Sequence, residues 1–168
     1  MPVRPEEWHE FFLTVGTGAA ALTGLVVVAM SMHLQVITDD PTLRHRARMI
    51  LVGLAAAFVR CSLALMGGLD ARGVGVVLFG VCLVVNGISI ASYTPVAHMT
   101  ARHRASFRRT VGGFLFYTTE MLGAGLVFFG VGWGLTLAAV AMMANFALMI
   151  SGSWLLLLGV RQDESSAE

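Results

Sequence analysis

The sequence predicts an all-α integral membrane protein, a bundle of five transmembrane helices with the N-terminus outside and the C-terminus cytoplasmic. Composition is the first observation that predicts this fold: the 168 residues are 57% hydrophobic and only 12% charged, whereas soluble domains are about 45–50% apolar and about 25% charged. The mean hydropathy of +0.78 agrees. The apolar residues also fall into five long runs, and the arginines cluster in the linkers between them. These features favour a multi-pass protein of the cell (inner) membrane.

The five predicted spans cover residues 11–34, 49–68, 73–96, 110–130 and 133–160. A helix needs about 20 apolar residues to cross the hydrocarbon core, and each run reaches that length. We therefore expect one transmembrane domain over residues 1–160. The acidic, polar stretch 161–168 is expected to be a disordered tail.

The segment before the first span is expected to lie in the headgroup layer. It contains Glu6, Glu7 and Glu10 beside Trp8, and tryptophan favours the membrane interface. A secretory signal begins with basic residues, so these carboxylates argue that the first span is retained as an anchor. Further along, Asp39-Asp40-Pro41 predicts a helix that begins at Pro41.

The arginines set the predicted orientation. Five spans place two basic clusters and Arg161 on one side, with Arg4 and Arg72 on the other. The positive-inside rule assigns the basic side to the cytoplasm. The same clusters are predicted to bind anionic lipid headgroups. Their members are Arg44, Arg46, Arg48, Arg102, Arg104, Arg108 and Arg109.

A buried charge pair is predicted near the bilayer centre. Glu120 and Arg60 lie in the middle of two spans that run in the same direction, eleven and twelve residues after the preceding Arg109 and Arg48. A helix rises about 1.5 Å per residue, so the two side chains lie at nearly the same depth. A charge at this depth needs a partner or a polar cavity. We expect an ion pair if the two helices are neighbours.

Other polar side chains are predicted at this depth. They are Thr23 in the first span, Asn86 in the third, Thr119 beside Glu120 in the fourth, and Asn145 in the fifth. Small residues at helical spacing predict close packing seams, such as Gly16, Ala20 and Gly24 in the first span and Gly73, Gly80 and Gly87 in the third.

Two functions agree with this polar layer. In the first, a homo-oligomer conducts or transports a small ion or protons, with Glu120 and Arg60 as the charged element. Oligomerisation through the small-residue seams is expected because five short helices hardly enclose a path alone. In the second, the chain is a non-enzymatic accessory or scaffold subunit of a larger membrane complex, and the polar contacts fix helix order.

Catalytic and metal-binding signatures are scarce. The GxG fragments lack the strand and helix context of a dinucleotide site. His33 and His98 end two spans on the cytoplasmic side and are the best metal candidates, but histidines at helix ends are usually solvated or lipid-bound. We expect no enzyme activity, no metal, no cofactor and no nucleic-acid partner.

The first third of the chain resembles a group of small polytopic membrane proteins of actinobacteria. The resemblance rests on Trp8-His9-Glu10-Phe11-Phe12, the apolar run Gly16–Leu34, Asp40-Pro41 and Leu43-Arg44. It implies a multi-pass membrane protein and supplies no activity.

Overall fold

The computed structural model describes the backbone of residues 5–66, 68–93 and 104–167, and every element within these ranges is helical. A 3₁₀ turn over Pro5–Trp8 leads into six α-helices. These are α1 (His9–Met32), α2 (Leu34–Asp39), α3 (Pro41–Ala64), α4 (Ala71–Tyr93), α5 (Arg104–Phe128) and α6 (Gly134–Ala167).

Among the described residues, four helical segments are long and apolar enough to cross a membrane: His9–Met32, Leu43–Ala64, Ala71–Ala91 and Gly134–Trp154. They correspond to the first, second, third and fifth predicted spans. The fourth predicted span falls in α5, whose side chains are described only from Gly112 onward. The chain is therefore an all-helical protein with four candidate membrane spans, and the count of five remains a prediction.

The boundaries differ from the predicted spans at two places. The first predicted span, 11–34, is interrupted at His33, where a non-helical backbone (φ −121°, ψ 31°) separates α1 from α2. At the other end, α6 continues to Ala167 through the segment expected to be a disordered tail. Residues such as Arg161, Gln162 and Glu164 have good helix propensity, so the preceding helix is extended at little cost.

The start of α3 follows the prediction. Asp40 has an extended backbone (φ −93°, ψ 113°), the conformation that a following proline favours, and the helix begins at Pro41. The backbone N–H of Arg44 donates to the carbonyl of Asp40 (3.0 Å), which closes the first turn.

Helices α3, α4, α5 and α6 form a four-helix bundle in which α3 and α5 occupy opposite corners. Both of these helices pack against α4 and α6, and α1 packs mainly on the other side of α3. Close glycine contacts fix the register. A Cβ added at Gly53 of α3 would lie 2.6 Å from Sδ of Met149 in α6, and one at Gly123 of α5 would lie 2.6 Å from the backbone nitrogen of Ala138 in α6.

These registers place the N-termini of α3 and α5 at the same end of the bundle. Gly112 near the start of α5 faces Leu148, and Ile50 near the start of α3 faces Gly152, so both helices run antiparallel to α6. The two basic clusters precede or begin these helices. We call this end of the bundle the basic end.

The opposite end is closed by apolar side chains. Side chains from α1, α3, α4, α5 and α6 form a tightly buried cluster, and Trp8 and Phe11 pack against it. We call it the apolar cap. Its buried members are Phe12, Val15, Cys61, Val74, Leu78, Ala124, Val127, Leu135 and Met142.

Candidate functional site

The candidate site is an ion pair at the centre of the four-helix bundle. Nη1 of Arg60 in α3 lies 2.6 Å from Oε2 of Glu120 in α5. The exposed fractions of the two side chains are 1% and 0%, so both charges are removed from water and from lipid. Desolvation of two ions is expensive and is offset only when they meet each other and further hydrogen-bond partners. The structure thus brings together the two residues whose depths matched in the sequence.

The pair lies across the diagonal of the bundle rather than between adjacent helices. Among the described helices, α3 and α5 are separated by α4 and α6. The long side chain of Arg60 crosses this gap. Its Nε donates to the carbonyl of Ala56 one turn earlier (3.1 Å), which orients the guanidinium toward the centre.

Two more side chains contact the guanidinium of Arg60. Sγ of Cys82 in α4 accepts from Nη1 at 3.4 Å. The ring centroid of Tyr117 in α5 lies 5.3 Å from Cζ, within the range of a cation–π interaction. Arg60 therefore makes side-chain contacts with α4 and α5.

Sequence reasoning missed Cys82 and Tyr117, although a signal for each exists. Cys82 precedes Asn86 by four residues, and Tyr117 precedes Glu120 by three. Residues at these spacings share one face of a helix. A residue one turn from each predicted polar side chain was therefore a candidate for the same site.

A second polar level lies one helical turn from the ion pair, toward the basic end. Asn86 follows Cys82 by one turn in α4, and Tyr117 precedes Glu120 by one turn in the antiparallel helix α5. Asn145 of α6 lies beside Tyr117. All three side chains are buried. The site thus has two levels: Arg60, Cys82 and Glu120 in the first, and Asn86, Tyr117 and Asn145 in the second.

Four buried oxygen atoms of this site make no hydrogen bond of standard length and angle among the described residues, although Asn145 interacts with the Tyr117 hydroxyl and the thiol of Cys82 interacts with the Glu120 carboxylate. They are Oε1 of Glu120, the hydroxyl of Tyr117, and the Oδ1 atoms of Asn86 and Asn145. The amide nitrogen of Asn86 contacts only a soft acceptor, Sδ of Met121, at 3.5 Å. Buried polar atoms in folded proteins are nearly always satisfied by protein or water. These four oxygen atoms can therefore each accept a further hydrogen bond.

The two predicted threonines do not join the site. Thr23 donates to the carbonyl of Ala19 (2.7 Å), and Thr119 donates to the carbonyl of Leu115 (2.8 Å), each within its own helix. On α1 it is Gly16 that faces the level of the ion pair, since a Cβ there would lie 2.9 Å from Cβ of Cys61. Thr23 lies two turns further toward the basic end.

The predicted lipid contacts lie at the basic end as far as they are described. Arg44 and Arg48 are exposed on the first turns of α3, and Arg46 is half-buried. Arg104, Arg108 and Arg109 lie in the part of α5 described by its backbone alone, and Arg102 lies outside the described residues. The metal candidate His98 also lies outside them.

Within the described ranges, no group of three or more His, Cys, Asp or Glu side chains is arranged to hold a metal ion. Near the site, Sγ of Cys61 and Sδ of Met142 lie 3.9 Å apart within the apolar cap. These two sulfur atoms pack as part of the core.

No protein-family model, curated protein or solved structure matches this chain.

Proposed function

We propose that the protein carries protons across a bacterial inner membrane and that Glu120 is the group that takes up and releases the proton. The observation that carries this proposal is the one-sided engagement of the carboxylate: Oε2 is bound by Arg60, while Oε1 makes no hydrogen bond of standard geometry among the described residues, the thiol of Cys82 being the other group that interacts with this carboxylate. A proton can bind at Oε1 without removal of the contact to Arg60.

The contact between Arg60 and Glu120 supports a role in proton transfer because it engages only one oxygen of the carboxylate. Arginine–carboxylate pairs are frequently bidentate, with two parallel hydrogen bonds that engage both carboxylate oxygens. Here the contact joins one guanidinium nitrogen to one carboxylate oxygen, and that nitrogen also donates to the thiol of Cys82. Intramembrane acidic residues of this kind commonly belong to proton relays and ion paths.

The proposal includes a homo-oligomer, but because the ion pair is enclosed by the helices of one protomer, we place the polar path inside each protomer and not, as the sequence reasoning suggested, in a space that several protomers enclose. Gly80 and Gly87 of α4 lie on an exposed face, and a Cβ at either position would meet nothing within 4 Å. Small residues of this kind let transmembrane helices approach closely. We assign the protein an N-terminus outside and a cytoplasmic C-terminus, with the basic end among anionic lipids.

Proton flux into proteoliposomes tests the proposal. Purified protein is reconstituted with a pH-sensitive dye inside, and a potassium-driven membrane potential is applied. We expect acidification above that of empty liposomes, and its loss in Glu120→Gln. Glu10→Gln, at an exposed position in the first turn of α1, is the matched control and should retain full flux. Full flux in Glu120→Gln would refute the role of Glu120.

A second candidate function is an accessory subunit of a larger membrane complex. One observation favours it: the ion pair is completely enclosed and connects α3 to α5 across the bundle. Such a contact fixes helix order without any transport. Co-purification of a stoichiometric membrane partner, together with no flux from the purified protein, would favour this candidate.

A further inference from the structure

The unpartnered oxygens of the site point to a ligand. Asn145, Tyr117 and Asn86 are 2%, 4% and 6% exposed, and Glu120 is fully buried. In the described part of the chain, each of the four keeps an oxygen that makes no hydrogen bond of standard geometry, and the interactions of Tyr117 with Asn145 and of Glu120 with Cys82 leave room for a further partner. Burying a polar atom without a hydrogen-bond partner lowers the stability of the fold, because the atom loses its hydrogen bonds to water and gains none in return. At the surface, water would supply the missing hydrogen bond. Four such oxygens around one buried charge pair therefore indicate a bound species that donates to them or coordinates them.

The charge of the site decides between water and a metal cation. Arg60 and Glu120 together carry no net charge. The other groups of the site are uncharged: the phenol of Tyr117, the thiol of Cys82 and the amides of Asn86 and Asn145. A sodium or divalent ion would leave a net positive charge in the bundle interior beside the guanidinium. Water adds no charge, donates two hydrogen bonds, and typically makes about three in buried sites.

We propose that water molecules occupy the level of Asn86, Tyr117 and Asn145 and form the route by which protons reach Oε1 of Glu120. This inference rests on the proposed function and deepens it by naming the carrier and the side of entry. Water hydrogen-bonded to Asn145, Tyr117 and Glu120 provides a continuous donor–acceptor chain. A proton passes along it when each water accepts one hydrogen and releases another, so no other reactant is needed.

The proposed hydration is one-sided. The polar level lies on the side of the ion pair that faces the basic end, whereas the apolar cap lies on the other side. Leu78 and Val127 of the cap are fully buried and have no polar side-chain atoms. We therefore place the entry of water on the side of the polar level, beside a second buried apolar cluster that includes Leu43, Ile50 and Leu54, and transfer to the opposite side requires the cap to open.

Water-edited solid-state NMR tests the inference on the full chain in liposomes. Magnetisation is transferred from water to the isotope-labelled protein, and the build-up is followed for individual side chains. We expect build-up at Asn145 and Tyr117 to be severalfold faster than at Leu78 and Val127. The comparison is matched because all four side chains are buried to a similar degree. Build-up as slow at Asn145 and Tyr117 as at the cap would overturn the inference.

A substitution provides the second measurement. Asn145→Leu replaces a polar wall of the site by an apolar side chain of similar size, and we expect severalfold slower water transfer to Tyr117 and a severalfold lower proton flux. Should this variant fail to fold, Asn86→Leu makes the same test from α4. Unchanged water transfer in the folded variant would count against the inference.

The two proposals fail in different ways. Flux that depends on Glu120, together with dry Asn145 and Tyr117, would overturn the hydrated route and leave the proposed function. Water at Asn145 and Tyr117 without any flux would overturn the proposed function and leave the hydrated site.

Discussion

Arg60 and Glu120 meet at 2.6 Å although their helices stand at opposite corners of the bundle. The contact passes between α4 and α6, and both of these helices contribute side chains around it. A change at either residue therefore acts on the whole four-helix arrangement.

Removal of one partner should be far more harmful than removal of both. Arg60→Ala leaves the carboxylate of Glu120 buried without its counter-ion, and we expect a loss of about 3–5 kcal/mol in the free energy of unfolding. The double variant Arg60→Met/Glu120→Leu replaces the pair by apolar side chains and should unfold close to the wild type, as replaced buried pairs often do. Unfolding in mild detergent measures both. Equal free energies of unfolding for Arg60→Ala and the wild type would show that the pair is not buried inside the bundle.

The close crossing of α5 and α6 should depend on Gly123. A Cβ at this position would lie 2.6 Å from the backbone nitrogen of Ala138 and 2.8 Å from the carbonyl oxygen of Gly134. Backbone atoms cannot move aside alone, so we expect Gly123→Ala to destabilise the protein by about 1–3 kcal/mol. Gly125→Ala is the matched control in the same helix, because a Cβ there meets nothing within 4 Å. The melting temperature in detergent should fall for the first variant and not for the second.

The proposed oligomer should use the exposed glycine face of α4. Gly80→Leu adds a bulky side chain where the protomer itself leaves open space, so the fold should be kept while the approach of a second copy is blocked. We expect light scattering after gel filtration to show a shift toward monomer. Gly24→Leu, at an equally open and exposed position of α1, should leave the oligomer intact. If Gly24→Leu dissociates the protein and Gly80→Leu does not, the interface lies on α1 instead.

The hydroxyl of Tyr117 should matter for flux more than for stability. It makes no hydrogen bond of standard geometry among the described residues, although Asn145 lies beside it, and the ring supplies the contact to Arg60. Tyr117→Phe keeps the ring, so the free energy of unfolding should change by about 1 kcal/mol or less. Because the hydroxyl belongs to the proposed water route, we expect a severalfold lower proton flux. A flux equal to that of the wild type would remove Tyr117 from the route.

The depth of charged residues was predictable from the sequence. Arg60 and Glu120 follow the basic clusters by nearly equal numbers of residues, and the constant rise of a helix converts that spacing into a shared level. Their lateral arrangement was not predictable in this way. We expected contact between neighbouring helices, and only the long side chain of arginine makes the observed diagonal contact possible.

Thr23 shows where depth arithmetic fails. Its position in the middle of the first predicted span suggested the level of the ion pair, yet α1 is displaced along its axis so that Gly16 faces Cys61. The displacement comes from close packing of a glycine against α3, which composition alone does not reveal.

The predicted packing seam of α4 was misplaced in a different way. Gly80 and Gly87 have the spacing of a packing face, but the protomer leaves that face exposed, and the close contact of α4 is made by Gly75.

Proton flux in proteoliposomes that contain Glu120→Gln is the most direct test of the central claim. Glutamine keeps the size of the side chain and an oxygen that can accept from Arg60, but it cannot carry a proton between the two sides. The account predicts that wild-type protein and Glu10→Gln acidify the liposomes, while Glu120→Gln, with an unchanged oligomeric state, does no more than empty liposomes. Equal flux from Glu120→Gln and the wild type, or no flux from the wild type, would contradict it.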